Sequence, residues 1–209
     1  MNSSLVIWGA GGHGRVVLDV ARCTGRFERI VFMDNDVQKL RAPLCDCSVI
    51  GVNGGLKHLA GYNFVVAVGD NHMRAQCYSQ ALSEGLSATV LIHSSAVVAP
   101  SASIGSGSVI MPGAVVNAGA VIGEDCIINT AAVIEHDCTI GAHAHISSRA
   151  VLGGKVSIGQ LAFIGIGAIL LPFAEVGEES IVGAGAVVLK EAPAHCTVVG
   201  VPAKAVTYA

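Results

Sequence analysis

From Val98 to Val188 an aliphatic residue occupies every sixth position without a break, a spacing that neither strand alternation nor an α-helix generates. The series runs Val98, Ile104, Ile110, Val116, Ile122, Ile128, Ile134, Ile140, Ile146, Leu152, Ile158, Ile164, Leu170, Val176, Val182 and Val188. Two residues before each of them the chain is small, from Ala96 and Ala102 through Cys126 and Cys138 to Ala186, with Val156 the larger exception. Short repeats of this kind predict a parallel β-solenoid, because one repeat cannot bury its apolar face alone and stacked turns build a continuous core. Glycine follows the aliphatic residue at Gly105, Gly123, Gly141, Gly159 and Gly177, each eighteen residues from the next, so three hexads make one coil. A glycine recurring at one corner suits a backbone that bends sharply there with positive φ. At ~4.8 Å per stacked strand, the hexads predict roughly five coils of a triangular prism about 25 Å tall.

Residues 1–90 follow a different pattern. Leu5 to Trp8 reads as a short apolar strand that runs into Gly9-Ala10-Gly11-Gly12-His13-Gly14, followed by a helical pattern in Val16, Val17, Val20 and Ala21. A second strand, Ile30 to Met33, ends at Asp34, and a third, Asn63 to Val68, ends at Gly69 before a helix over 73–84. The set predicts a Rossmann-like β-α-β-α-β unit whose strand ends at Gly9, Asp34 and Gly69 converge on one edge, where open parallel sheets bind ligands. Backbone N–H groups at such a glycine turn cradle a pyrophosphate, and Asp34 is placed to accept hydrogen bonds from a ribose or base. Taken alone the motif reads as a dinucleotide site. About ninety residues suffice for a mononucleotide-sized half but fall short of the two halves that embrace NAD, and a turn closed by glycines without a ligand stays open.

Composition narrows the classes further. The chain has 209 residues, 52% hydrophobic but 4% aromatic, with 26 glycines, so its apolar content comes from the small and branched residues that a thin prism can hold. No charged residue lies between Gly85 and Gly123, yet Gly, Ser, Pro and Asn interrupt that stretch throughout, which argues against a membrane span. Met1 to Gly14 lacks a basic start and a sufficient apolar run for a signal peptide, and a cytoplasmic protein is expected. A net charge of −3 gives no footprint for nucleic acid. Seven cysteines at irregular spacing make no disulfide framework; Cys126 and Cys138 occupy inward positions, and Cys45-x-Cys47 is too little for a metal site.

Three of the eight histidines, His136, His143 and His145, fall in one stretch of the repeat. His136 follows an aliphatic position, where the chain turns a corner and side chains point outward, and its neighbour Asp137 can fix its tautomer and raise its basicity. Gly154, eighteen residues on, is expected one strand spacing away on the same edge. A base beside an accessible backbone N–H is what acyl transfer needs. Zinc is the competing use, as in hexapeptide-repeat proteins of the γ-carbonic anhydrase type, but the separations of seven, two and nine residues do not match that pattern, and no metal is expected.

Taken in order, Gly9 to Gly14, Asn129-Thr130-Ala131-Ala132-Val133-Ile134-Glu135-His136-Asp137-Cys138 and the closing Val199-Gly200-Val201-Pro202-Ala203-Lys204 resemble the bacterial nucleotide-aminosugar acetyltransferases with a left-handed β-helix. The bacillosamine-pathway N-acetyltransferases and the sialic acid O-acetyltransferases are the nearest relatives by this resemblance, which covers Leu5 to about Val206. It implies an α/β nucleotide-sugar-binding domain over 1–90, a left-handed β-helix acyltransferase domain over 91–209, and a homotrimer with acetyl-CoA between neighbouring prisms. It also implies that His136 is the general base, that Asp137 polarises it, and that His145, Gly154, Ile166 and Ala184 contact acetyl-CoA. Gly11, Gly12, His13, Asp34, Asn35 and Gly69 match positions that hold the nucleotide sugar. The expected reaction is direct N-acetylation of a nucleotide-linked 4-amino-4,6-dideoxy sugar. O-acetylation of a sialic acid and a non-catalytic nucleotide-binding trimeric scaffold remain the alternatives.

Overall fold

The computed structural model describes residues 4–52 and 56–206, with Lys57 by its backbone alone, so the outer limits 1 and 209 of the two expected domains lie outside the described residues. The N-terminal part is a parallel sheet of five strands in the order β3-β2-β1-β4-β5: β1 Ser4–Trp8, β2 Arg29–Asp34, β3 Val49–Gly51, β4 Asn63–Val66 and β5 Ser87–Ala88. Two of these exceed the expected three. β3 and β5 are too short, at three and two residues, to leave a periodic signal. The third expected strand stops at Val66 rather than Val68.

Helix α1, Gly12–Cys23, buries Val17, Leu18, Val20 and Ala21 against the sheet. Val16, expected in that apolar face, is 39% exposed, and Leu18 takes its place. Helix α2, Asn71–Ser83, begins two residues earlier than its sequence pattern suggested because Asp70 caps it, accepting the Met73 N–H at 2.8 Å.

Residues 91–199 wind into a left-handed parallel β-helix with three faces, and Lys204–Val206 folds back antiparallel on Thr197–Val199 at its end. Face 1 stacks the strands Val97–Val98, Val115–Val116, Val133–Ile134, Val151–Leu152, Ile169–Leu170 and Val187–Val188. Face 2 runs from Ser103–Ile104 to Glu191–Ala192, and face 3 from Leu91–Ile92 to Thr197–Val199. Strands pair eighteen residues apart, as Val133↔Val151 and His145↔Phe163 show. The period then breaks: Val176 pairs with Ala192 and Val182 with Val198, so the last coil is two residues short and ends on strands outside the unbroken series. The expected inward positions form one continuous core, with Ile134, Ile140, Ile146, Leu152 and their small partners Ala132, Cys138, Ala144 and Ala150 buried. Polar inward residues close their hydrogen bonds locally: Ser108 Oγ donates to Gly123 O at 2.8 Å, and Cys126 and Cys138 Sγ donate to Gly141 O and Gly153 O at 3.2 Å.

The corner glycines serve a purpose different from the expected one. Gly105, Gly123, Gly141, Gly159 and Gly177 are absent from the positive-φ residues; instead a Cβ at each would meet the backbone of the next coil, at 2.7 Å for Gly123 on Ala142 N. Close stacking, not bending, excludes side chains there. The positive φ falls two residues later, at Gly107, Asp125, His143, Leu161 and Glu179 along the same edge.

The three faces differ outwardly. Face 3 carries the N-terminal domain: Leu91, Val109 and Met111 join the same buried cluster as Val17, Leu18, Val20 and Ala21. Face 2 presents Ser103, Val121, Thr139, Ser157, Glu175 and Glu191, all exposed. Face 1 presents Val115, Val133, Val151, Ile169 and Val187 below Val97, with Val97 at 62% and Ile169 at 43% exposure, so an unbroken aliphatic column lies uncovered in one subunit.

Candidate active site

All six expected nucleotide-sugar residues line one cleft of about 600 Å³: Gly11, Gly12, His13, Asp34, Asn35 and Gly69. The parallel order around β1 brings the ends of β1, β2 and β4 side by side there. The glycines divide the work. Gly9, at φ 120°, and Gly14 hold the turn closed: a Cβ on Gly9 would lie 2.6 Å from Ala67 O, and one on Gly14 would strike Gly9 O. Gly11, Gly12 and Gly69 face open space, and the first bond of α1 runs from Arg15 N–H to Gly11 O, leaving the amides of Gly11 to Gly14 as donors.

Asp34 is already engaged. Its Oδ2 accepts the Ala10 N–H and Lys39 Nζ, each at 2.8 Å, and its Oδ1 accepts the Asp36 N–H at 2.9 Å. Burial alone would raise its pKa, but the hydrogen bonds from Lys39, Asp36 and Ala10 and the Lys39 charge hold it below the ordinary carboxylate value. A carboxylate offers about four acceptor positions, so about one remains for a ligand. Sequence reasoning missed Lys39, Trp8 and the cleft-facing side of α2, Met73, Gln76, Cys77 and Gln80. The helical spacing of these last four was the available signal.

Beside His13 and Gly69 of the cleft wall the N-terminal domain meets face 3. His145, 8% exposed, lies there beside His13 and the Gly69 backbone, with Phe163 edge-on at 5.1 Å. Asn129 Oδ1 accepts the Thr130 N–H at 2.8 Å, which turns the Asn129 amide nitrogen toward His145 Nε2 at 3.1 Å. The ring proton therefore sits on Nδ1, which is buried without a hydrogen-bond partner, as is His13 Nε2. Burial and then the Arg74 charge lower both histidines to about 4, with His13 also acting on His145.

The unfolded chain thus takes up these protons near 6.5 and the folded chain only near 4, so folding is opposed increasingly as pH falls through that interval. Urea unfolding is expected to give a stability that declines by a few kcal/mol between pH 7 and pH 4.5. Substituting both residues by Gln should flatten that slope.

His136 stands elsewhere. It occupies the corner between faces 1 and 2, is 57% exposed, and its Nδ1 lies 3.0 Å from Asp137 Oδ2. Gly154 is beside it as expected: a Cβ there would sit 2.5 Å from His136 Nε2. That corner is opposite face 3, so one subunit separates the pair His136 and Gly154 from His13, Gly69 and His145. Ile166, 62% exposed, and Ala184 stack on the corner between faces 3 and 1. His143 lies at the third corner with its Nδ1 2.9 Å from Asp125 Oδ2, so the three clustered histidines of the sequence occupy three different parts of a coil. Among the described residues no group of His, Cys, Asp or Glu is arranged to hold a metal ion, and no helix is long and apolar enough to cross a membrane. Cys138, two residues from His136, is fully buried, and burial raises its thiol pKa.

Residues 4–81 match the model of the PglD N-terminal domain, and residues 119–154 that of the bacterial transferase hexapeptide with six repeats. The chain is similar to the acetyltransferase domain of PglB from Neisseria gonorrhoeae FA1090, solved in complex with acetyl coenzyme A: 41% identity over 99% of this chain and 100% of that one, with a TM-score of 0.94. It is similar to a histidine-to-asparagine variant of perosamine N-acetyltransferase from Caulobacter crescentus, in complex with CoA and GDP-perosamine: 36% identity, 98% and 97% coverage, TM-score 0.92. WeeI from Acinetobacter baumannii AYE, at 24% identity, 97% and 99% coverage and a TM-score of 0.82, shares the fold.

Proposed function

Since the chain belongs to the left-handed β-helix nucleotide-aminosugar acetyltransferases and is an acetyl-CoA-dependent N-acetyltransferase of an amino sugar, we propose that its acceptor is a nucleotide-linked 4-amino-4,6-dideoxy sugar and its general base His136. The observation that carries this reading is the glycine-walled cleft of Gly11, Gly12, His13, Asp34, Asn35 and Gly69, two of whose residues, His13 and Gly69, lie beside His145 on the prism. The amides of the glycine turn take the diphosphate, and the sugar extends toward His145. Acetyl-CoA runs along the prism by Ile166 and Ala184, with its thioester near His145.

His136 takes the proton from the sugar amine as the nitrogen attacks the thioester carbonyl. Its Nδ1–H is held by Asp137, which leaves the Nε2 lone pair free to accept. The Gly154 N–H stabilises the oxyanion, the tetrahedral intermediate collapses, and the CoA thiolate leaves. No acyl-enzyme forms. Cys138, the thiol nearest in sequence, commits its proton to Gly153 O inside the core.

One subunit keeps His136 and the cleft on opposite sides of its prism, which supports an active site shared between subunits of a homotrimer. The uncovered aliphatic column of face 1, flanked by His136 on one corner and Ile166 on the other, supports the same assembly.

Thiol release from acetyl-CoA tests the reading with a UDP-linked 4-amino-4,6-dideoxy sugar, GDP-perosamine and a CMP-linked hydroxyl sugar as acceptors. Turnover with an amino acceptor is expected; turnover with the hydroxyl sugar alone would make this an O-acetyltransferase. Asp34→Ala is expected to raise the KM for the nucleotide sugar about tenfold, because it frees the turn at Ala10 and Lys39 together, a loss of about 1.4 kcal/mol. The KM for acetyl-CoA should not change. An unaltered sugar KM would remove Asp34 from the site.

A further inference from the structure

We propose that Arg74 is a positioning residue for the transfer reaction, its guanidinium clamping the wall of the nucleotide cleft to two stacked coils of the prism. The chain supplies this clamp from one face of α2. Asn71, Arg74 and Tyr78, at helical spacing, reach successive coils along the corner between faces 2 and 3. Tyr78 OH lies 3.0 Å from Ser106 Oγ and 3.2 Å from Glu124 Oε2, and Asn71 Nδ2 donates to Leu161 O at 2.8 Å and Ala162 O at 3.1 Å.

Between them Arg74, 1% exposed, spreads its fork: Nη1 donates to Val68 O at 3.2 Å, Nε to Asp125 O at 3.0 Å, and Nη2 to His143 O. Asp125 and His143 are equivalent residues of adjacent coils, both in the left-handed region at φ 51° and 59°. The Asp125 carboxylate completes the seam, 3.3 Å from Arg74 Nε and 2.9 Å from His143 Nδ1.

The opposite side of the same helix lines the nucleotide cleft through Met73, Gln76, Cys77 and Gln80. Val68, which Arg74 holds, precedes Gly69 at the meeting point with His145. Prism and sheet each have a core of their own and share a third cluster through Leu91, Val109 and Met111, so the clamp acts beside that cluster in setting how one lies against the other. A misplacement near 1 Å of a bound substrate costs about 10²-fold in rate. A lysine carries the charge but cannot reach three carbonyls from one planar group.

This inference rests on the acetyl-transfer reading above, and the test keeps the two apart. Arg74→Lys, Arg74→Met and the charge-neutral pair Arg74→Met with Asp125→Asn are compared in the full chain. The last of these leaves no buried acid unpaired. The expected result is a kcat lowered about 10²-fold in all three. Affinities for CoA and for the nucleotide sugar, the latter read from the fluorescence of the single tryptophan, Trp8, in the cleft wall, should stay within about threefold.

A proton NMR titration adds a readout independent of activity. The charged group acting on His13 and His145 is Arg74, and His13 also acts on His145; Asp125 and Asp70 act in turn on Arg74, and His143 and Glu124 on Asp125. Both histidines should titrate closer to their ordinary value in Arg74→Met and stay low in Arg74→Lys. Wild-type kcat in the charge-neutral pair would overturn the proposal, as would losses confined to melting temperature. A wild-type protein that acetylates no amino sugar would sink the acceptor reading instead, while the titrations still report whether the Arg74 charge acts on the two histidines.

Discussion

Alanine at His136 is expected to lower kcat by about 10²–10⁴-fold, the usual worth of a positioned general base. Acetyl-CoA and nucleotide-sugar affinities should change little, since the imidazole stands outside both the cleft and the core. It is 57% exposed and its ring packs over Gly154, so removing it opens no cavity. Thiol release under saturating substrates measures the effect, with the unfolding transition as the control. Asp137→Asn should give a smaller loss, because the amide keeps the shape of the partner and its oxygen can still accept the Nδ1–H. Near-normal turnover in His136→Ala would mean that another group accepts the amine proton.

Glutamate at both Val151 and Ile169 is expected to abolish transfer by preventing assembly. These residues sit 37% and 43% exposed in the middle of the aliphatic column on face 1, with their side chains pointing away from the prism core. Two carboxylates there leave the inward residues Leu152 and Leu170 untouched, so the coil stays folded, but apposing prisms would have to bury unpaired charge. Sedimentation should show monomers, and activity should fall to background because each cleft loses the His136 of its neighbour. A monomer with wild-type activity would place base and cleft in one subunit. A trimer with wild-type activity would free face 1 from the interface.

Much of the architecture is written locally. A side chain every sixth residue must point inward once the chain turns in hexads, so the core of Ile128, Ile134 and Ile140 could be named from spacing. The glycine turn was equally legible, as its residues are consecutive and its strand ends fall on one edge of a parallel sheet. Other features lacked such a signal. The corner glycines were rightly located but wrongly explained, because their constraint comes from a backbone one coil away rather than from their own φ. The short last coil escaped because two missing residues put Ala192 and Val198 out of phase with everything before them. Arg74 escaped for a further reason: the acceptors it uses, Val68 O, Asp125 O and His143 O, are peptide carbonyls. Every residue type carries one, so such a partner leaves no trace in the sequence.

The residues alone thus specified a three-faced prism, a glycine-walled cleft and a histidine with its carboxylate at a corner, since each depends on neighbours close in sequence or on a strict period. They did not specify which face the N-terminal domain would cover. The six-residue period of inward aliphatics is the same on all three faces, and the choice rests on contacts as distant as Asn71 with Leu161 and Arg74 with His143. Once face 3 is covered, His145 is set against His13 and Gly69 of the cleft wall, His136 is carried to the far corner, and face 1 is left apolar and bare. The proposed sharing of chemistry between subunits rests on that packing, because a rigid prism cannot bring its opposite corner to its own cleft.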